Sequence, residues 1–206
     1  MKNHPEGYPV DFQRCADFHG HVCPGLAIGY AAVKAGTRVL NLGASPDEEV
    51  VAIVENDSCA IDAVQVLLGC TFGKGNLVFR DWGKQVFTFV DRSTGRAVRV
   101  SFTRPIPGRE ERHALKKRID SGDATDEEKQ RFDELRTLGV MTLIQSDPKE
   151  FFNIREVKIS VPPHAQIVAT NPCDKCGELT MTTRLVPREG QMLCRGCASE
   201  RGTDSQ

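Results

Sequence analysis

The segment DFHGHVCPGLAIGY, residues 17–30, places three side chains that bind transition metals at alternate positions. They are His19, His21 and Cys23. In an extended segment all three would lie on one face, whereas in a turn only two of them would point inward. Imidazole and thiolate ligands favour zinc, nickel or iron over magnesium. The segment therefore predicts a transition-metal site with these residues as ligands, although a histidine here can also bridge backbone groups without a metal.

A second thiol, at the start of a helix, is the best candidate partner for this segment. Cys59 follows Asp57 and Ser58, either of which can cap the helix. Unpaired backbone N–H groups and the helix dipole lower the pKa of a thiol in a first helical turn. We therefore predict Cys59 as a metal ligand or reactive thiolate and His21 as a ligand or acid–base group. The alternative is that Cys23 and Cys59 are core residues, because cysteine is often buried.

Two further residues follow this helix. A helix over residues 59–69 would separate Cys59 from Cys70 by about 16 Å, at about 1.5 Å per residue. The two thiols could then neither form a disulfide within one chain nor share an ion. Lys74, in the turn FGKGN, is a candidate for binding an anionic group together with nearby backbone amides. The phosphate-binding pattern G-x-x-x-x-G-K-[ST] is absent, and a lysine in a turn is more often only solvated.

Four cysteines near the C-terminal end form two C-x2-C pairs, Cys173 with Cys176 and Cys194 with Cys197. Four thiolates in this spacing are typical of a closed structural zinc site, whose metal supplies much of the folding energy of so small a segment. A short helix after the second pair would suit a treble-clef zinc finger. Such fingers bind proteins, bind nucleic acids or serve structure alone. Nearby arginines weakly favour nucleic acid, but a solvated charged surface is the simpler interpretation.

These residues must be positioned by an alternation of helices and strands. Helices are predicted at residues 9–18, 24–43, 59–69 and 108–140. Strands are predicted at residues 49–56, 76–81, 84–91, 96–103 and 154–162. Apolar and polar residues alternate on both sides of the RSTG turn, which indicates an antiparallel meander. We therefore expect an α+β fold, with an antiparallel sheet packed with helices in domain 1–168 and a C4 treble-clef zinc finger in domain 169–206.

Composition limits the possible classes of protein. The 206 residues are 39% hydrophobic and carry a net charge of −1, so no overall charge argues for nucleic acid or an anionic membrane as partner. No apolar run approaches the length of a membrane-spanning helix, and the first residues lack the apolar core of an export signal. We therefore expect a cytoplasmic protein without membrane contact, whose eight cysteines are metal ligands or thiols rather than disulfides.

The motifs together resemble the FmdE family, which is named after a subunit of formylmethanofuran dehydrogenase. The resemblance rests on FHGHVCPGLAIGY, then DSCAIDAVQVLLGCTFGKGNL, then the charged region and the terminal C4 finger. It covers about residues 10–165 as the core and 170–200 as the finger. The family's HGHxCPG motif falls on residues 19–25, its central cysteine on Cys59 and its GCTxGKGN motif on residues 69–76.

The resemblance implies an α+β core with an antiparallel sheet, an accessory zinc finger and a closely intertwined homodimer. It also implies a link to the molybdenum or tungsten enzyme that reduces carbon dioxide to formylmethanofuran. In a homodimer Cys59 and Cys70 could approach each other across chains. The resemblance does not make this chain the catalytic subunit, because no domain of the size needed for molybdopterin fits within it.

Two classes of function stay open at this point. The first is a metal-binding pocket with an enzymatic or redox task, built on the N-terminal histidines and cysteines and holding zinc, nickel or iron beside the structural zinc of the finger. The second is a non-catalytic accessory or regulatory protein that senses or delivers metal, or that uses the finger to bind a redox enzyme or nucleic acid. Four protein ligands at the first site would favour structure or sensing, whereas three ligands would favour chemistry.

Overall fold

The computed structural model describes residues 7–199 of the chain. The chain divides into two compact units, Met1–His164 and Ala165–Gln206. Within the described residues, no helix is both long enough and apolar enough to cross a lipid bilayer. The larger unit contains the histidines and cysteines of the N-terminal segment, and the smaller unit contains the two C-x2-C pairs.

Two helices flank the loop that carries the predicted metal ligands. Helix α1 is Val10–His19 and helix α2 is Pro24–Leu40. α1 ends at Gly20, whose φ of 92° is a left-handed conformation that glycine adopts without steric cost. Cys23 precedes α2, and its Sγ accepts a hydrogen bond from the N–H of Leu26. The thiol thus caps the helix and is held at its entrance.

Helix α2 ends earlier than the sequence predicts. The expected end is Gly43, but the last helical residue is Leu40. Asn41 takes a left-handed conformation, with φ 54° and ψ 47°, and its N–H donates to the carbonyl of Thr37. Asparagine is one of the few residues other than glycine that adopt this conformation readily, and it stops the helix here.

A five-stranded sheet with the order β2-β1-β3-β4-β5 forms the centre of the larger unit. The strands are β1 Val50–Val54, β2 Leu77–Phe79, β3 Val86–Asp91, β4 Ala97–Phe102 and β5 Phe152–Val157. β1, β3, β4 and β5 pair antiparallel, which confirms the predicted α+β class. The predicted meander is wrong in one strand, because β2 pairs parallel with β1 rather than with β3. Helix α3, Ala60–Leu68, forms the crossover that a parallel pair requires.

The helices pack on one face of this sheet and form its main hydrophobic core. Every residue of β1 and β3 is buried, so the sheet is covered along these central strands. α2 approaches β3 closely at Gly36, where an added Cβ would lie 2.3 Å from Cδ2 of Phe89. On the opposite face, Val51 and Ile53 belong to a smaller hydrophobic cluster, and hydrophobic residues that follow β5 pack against it.

A charged helical hairpin separates β4 from β5. Helix α4 is Arg109–Asp120 and helix α5 is Asp126–Gln145. None of the α4 residues is fully buried, whereas α5 turns a face toward α2 that includes Gly139 and Val140. The predicted capping box at the start of α5 is confirmed, because Thr125 and Glu128 exchange hydrogen bonds between side chain and backbone.

The smaller unit consists of two hairpins and a short helix. Its elements are β6 Thr170–Pro172, β7 Leu179–Met181, β8 Leu185–Arg188, β9 Gln191–Cys194 and α6 Arg195–Ser199. β6 pairs with β7 and β8 pairs with β9, both antiparallel. A fully buried Leu193 packs with Cys173 and Cys197 in a core of only a few side chains. This arrangement agrees with the predicted C4 zinc finger.

Candidate metal centres

The four C-terminal cysteines converge as their spacing predicts. Their sulfur atoms all lie within 4.8 Å of one another, and Cys173, Cys176, Cys194 and Cys197 form this group. The N–H of Cys194 donates to Sγ of Cys173 over 3.2 Å. Backbone N–H groups, first that of Cys176, lower the pKa of Cys173 to about 6. Four thiols held this close, one of them readily ionised, suit a tetrahedral zinc ion.

A second convergent group lies in the larger unit. Ligand atoms of His19, Cys23 and Cys59 all lie within 4.8 Å of one another. Nε2 of His19 is 3.7 Å from Sγ of Cys23. Nitrogen and sulfur ligands of one tetrahedral ion, with bonds of about 2.0 and 2.3 Å, are separated by about 3.5 to 3.8 Å. The spacing of these atoms therefore fits one transition-metal ion with three protein ligands.

Asp62 orients the histidine of this group, and sequence reasoning missed it. Its Oδ2 is 2.6 Å from Nδ1 of His19. A carboxylate there holds the proton on Nδ1 and leaves Nε2, the nitrogen that faces Cys23, with a free lone pair. The available signal was the spacing from Cys59 to Asp62, three residues apart, which is close to one turn of α3.

Two glycines on α2 let the start of α3 come this close. A Cβ at Gly25 would lie 3.1 Å from Cβ of Cys59 and 3.8 Å from Sγ of Cys23. A Cβ at Gly29, one turn later, would lie 2.0 Å from the backbone oxygen of Ala60. Any larger residue at Gly29 would push α3 away from α2 and separate the two thiols.

The start of α3 differs from the sequence prediction, which placed Cys59 in the first helical turn after a cap at Asp57 or Ser58. Cys59 is itself the residue that precedes α3, and it follows a turn in which Asn56 Oδ1 accepts from the N–H and hydroxyl of Ser58. Ser58 Oγ in turn accepts weakly from the N–H of Ala60, so the predicted serine cap lies one residue earlier than a standard cap. Burial raises the pKa of Cys23 to about 11.

His21 lies beside the group of three but is not part of it. Its ring centroid is 4.4 Å from that of His19, and the residue is exposed. Desolvation, and then the charges of His19 and Arg136, lower the pKa of His21. A lowered pKa favours the neutral form of the ring at neutral pH.

The other predicted residues lie elsewhere in the larger unit. Nζ of Lys74 donates to the backbone oxygen of Ser45 over 3.0 Å and more weakly to that of Pro46. Cys70 is buried, and its Sγ donates to the oxygen of Val50. Burial raises the pKa of Cys70 to about 12, which keeps this thiol protonated and unreactive at neutral pH.

Comparison with known proteins shows two sequence similarities. Residues 18–153 match the family described as FmdE, molybdenum formylmethanofuran dehydrogenase operon. A protein of Archaeoglobus fulgidus named as a probable S-adenosyl-L-methionine-binding protein is 33% identical over 193 residues, 90% of this chain and 51% of that protein. The chain thus spans about half the length of this curated relative.

A solved structure is similar over almost the whole chain. It is that of a tungsten formylmethanofuran dehydrogenase FmdE-like protein from Syntrophus aciditrophicus. The TM-score is 0.57 and the sequence identity 26%, over 91% of this chain and 89% of that one. Since the family match alone spans more than half of the sequence and includes all three residues of the N-terminal group, the chain belongs to the FmdE family.

Proposed function

We propose that the larger unit binds one transition-metal ion through Nε2 of His19 and the Sγ atoms of Cys23 and Cys59. Zinc, nickel and iron all suit this set of ligands. The observation that supports the site best is the convergence of three ligand atoms within 4.8 Å, one of them on a ring whose other nitrogen is held by Asp62. Orientation of a metal-bound histidine by a carboxylate is a common feature of metal sites in proteins.

Three protein ligands favour a chemical role over a purely structural one. Catalytic zinc sites have three protein ligands and a further position for water or substrate, whereas structural sites have four. When bound, the ion would polarise a substrate or lower the pKa of a bound water. His21 is exposed and lies beside His19, and it would transfer a proton to or from the bound molecule. Cys59 would serve as a ligand or, without metal, as the reactive thiol.

The smaller unit would hold structural zinc on its four cysteines. This unit has a core of only a few side chains, so the ion would supply much of its stability. We place the boundary between a metal-binding core domain and the finger at residues 168 and 169. The finger's exposed arginines also permit contact with a nucleic acid, which is a weaker proposal than a structural role.

The family supports a role close to one-carbon redox metabolism. Its description refers to a molybdenum formylmethanofuran dehydrogenase operon, so a partner enzyme of that class is the first to test. We propose that the protein acts in the cytoplasm as a homodimer. Lys74, whose Nζ already donates to the backbone oxygens of Ser45 and Pro46, would use its further donor capacity to bind an anionic group at its glycine-rich turn. The alternative is an accessory or regulatory protein that senses or delivers metal. The name of the Archaeoglobus relative adds S-adenosyl-L-methionine as a small molecule to test.

Metal content per chain would test the two sites. We expect two ions per chain in the wild type, and one each in Cys59→Ala and in Cys176→Ser, measured by elemental analysis after exhaustive dialysis. Cys15→Ala is the matched control, because Cys15 is a buried thiol that donates to the backbone oxygen of Asp11 and belongs to neither group. One ion in the folded wild type, retained in Cys59→Ala, would contradict the N-terminal site.

A further inference from the structure

Two thiols of the larger unit lie close together without being fully buried. The Sγ atoms of Cys23 and Cys59 are within 4.8 Å of each other. Both residues are free cysteines and only partly buried, so each keeps some surface in contact with solvent. Burial raises the pKa of Cys23, and hydrogen-bonding contact with the Cys59 thiol raises it further. The two side chains therefore already interact as thiols.

The other two cysteines of the larger unit are shielded from solvent. Cys15 and Cys70 are fully buried, and each donates its thiol hydrogen to a backbone oxygen. Burial raises the pKa of each to about 12, so both stay protonated at neutral pH. Among the four thiols of this unit, Cys23 and Cys59 are thus the pair that a small oxidant can reach.

The local chain leaves room for the two sulfur atoms to meet. Cys23 directly precedes α2 and Cys59 directly precedes α3, so both lie at helix starts that face each other. A Cβ at Gly25 would lie 3.7 Å from Sγ of Cys59 and 3.8 Å from Sγ of Cys23, and glycine leaves this space open. A disulfide brings its two sulfurs to about 2.05 Å, so the approach needed is at most about 3 Å.

We propose that Cys23 and Cys59 are a site of reversible oxidation, at which a hydroperoxide joins them in a disulfide and thereby empties the N-terminal metal centre. The loss of the ion rests on the metal site proposed above, whereas the disulfide requires only the two thiols. Thiolates bind metal, but the sulfurs of a disulfide carry no such charge. His19 alone is then left as a ligand of the group.

The oxidation balances with hydrogen peroxide as the two-electron oxidant. One thiolate attacks a peroxide oxygen, the O–O bond breaks, and a sulfenic acid and hydroxide form. The second thiolate attacks the sulfenic sulfur, the S–O bond breaks, and the S–S bond forms with release of another hydroxide. Two protons from water convert both hydroxides to water, and the divalent ion is set free. A dithiol reductant returns the two electrons and restores both thiols.

Peptide mapping without reduction tests the disulfide in metal-free wild type. The protein is treated with hydrogen peroxide, alkylated and digested before aspartate residues, which puts each of the four thiols of this unit on its own peptide. We expect mass spectrometry to show a cross-link between the peptides of Cys23 and Cys59, and its loss after treatment with dithiothreitol. Cys15 and Cys70 are internal controls that should stay reduced. The absence of this cross-link would overturn the proposal.

Single serine variants separate the pair from its individual thiols. Cys23→Ser and Cys59→Ser each leave one thiol without its partner. We expect no cross-link in either variant and a sulfenic acid on the remaining cysteine, which dimedone traps. Cys15→Ala is the matched control and should form the cross-link as the wild type does. Cross-linking of Cys23 or Cys59 to a different cysteine in the wild type would overturn the pairing.

Zinc-loaded protein distinguishes failure of the disulfide from failure of the metal site. Release is followed with a chromogenic zinc indicator in Cys176→Ser, in which the ion expected is the N-terminal one. We expect peroxide to release one ion per chain in step with the Cys23–Cys59 cross-link, and reductant with zinc to restore binding. A cross-link in protein that never held this ion would reject the metal site and support the dithiol site. An ion that stays bound after the cross-link has formed would overturn the proposal.

Discussion

At the residue scale, the N-terminal centre depends on the orientation of one ring. His19 is held at Nδ1 by Asp62, and its Nε2 faces the thiol of Cys23. Gln65 donates to the other oxygen of the same carboxylate over 3.2 Å, which limits its rotation. The side chains that would bind metal are thus supported by a second set of contacts from α3.

Removal of the Asp62 carboxylate should weaken metal binding without unfolding the protein. We expect Asp62→Ala to lower the affinity for zinc at the N-terminal centre about 10- to 100-fold, the usual effect of losing such a partner. Asp62→Asn should lose less, because its amide oxygen still accepts from Nδ1. Competition with a chromogenic chelator measures the affinity, and Asp126→Ala, an exposed acid of α5, is the control. Unchanged affinity in Asp62→Ala would contradict the positioning role.

At the scale of elements, contact between α2 and α3 brings the two thiols together. Cys23 precedes α2 and Cys59 precedes α3, so the separation of the helices sets the separation of the sulfur atoms. Gly25 and Gly29 form the surface on which the first residues of α3 lie. This close approach depends on two positions without a side chain.

A methyl group at Gly29 should disturb both stability and metal binding. The added Cβ would lie 2.0 Å from the oxygen of Ala60, and a backbone atom cannot move aside as a flexible side chain can. We expect Gly29→Ala to lower the free energy of unfolding by about 1–3 kcal/mol, as overpacking usually does, and to lose the N-terminal ion. Urea unfolding and metal content measure the two effects.

Gly43→Ala is the matched control for this change. An added Cβ at Gly43 meets nothing within 4 Å, and its φ is not in the left-handed region. Stability and metal content should therefore stay close to those of the wild type. Equal behaviour of the Gly29 and Gly43 variants would show that α3 can shift without affecting the centre.

At the scale of the whole molecule, the two units depend on metal to different degrees. The larger unit buries a continuous core of helices against a five-stranded sheet. The smaller unit buries little besides Leu193 and two of its own cysteines. A unit of this size rarely folds on hydrophobic burial alone, whereas the larger one can.

A chelator should therefore unfold the smaller unit selectively. We expect removal of metal from the full-length protein to abolish hydrogen-exchange protection in residues 170–199, while β1 and β3 keep theirs. Exchange measured by mass spectrometry, with and without added zinc, resolves the two regions. Cys176→Ser should reproduce the chelator's effect in the presence of zinc. Persistent protection of the finger in metal-free protein would contradict a structural zinc.

Much of the fold could be predicted from local patterns. The start of α2 at Pro24 follows from the preference of proline for the first helical position, and the cap of α5 at Thr125 follows from side-chain chemistry within one turn. The alternation of residue types in β3 and β4 follows from the period of a strand. The parallel pairing of β2 could not be predicted in this way. It depends on where the crossover through α3 places the chain, which is a property of packing rather than of local sequence.

The residues of the candidate centre also fall into two groups, those that the sequence could predict and those that only packing determines. Residue type and spacing indicated His19, Cys23 and Cys59, because good metal ligands crowded into one loop and one helix start are unusual. They did not indicate Asp62, the one charged residue of the mainly apolar helix α3. Asp62 is 43 residues from His19 in the chain. Its role comes from helices packed side by side, since only packing determines which distant polar groups share a buried space.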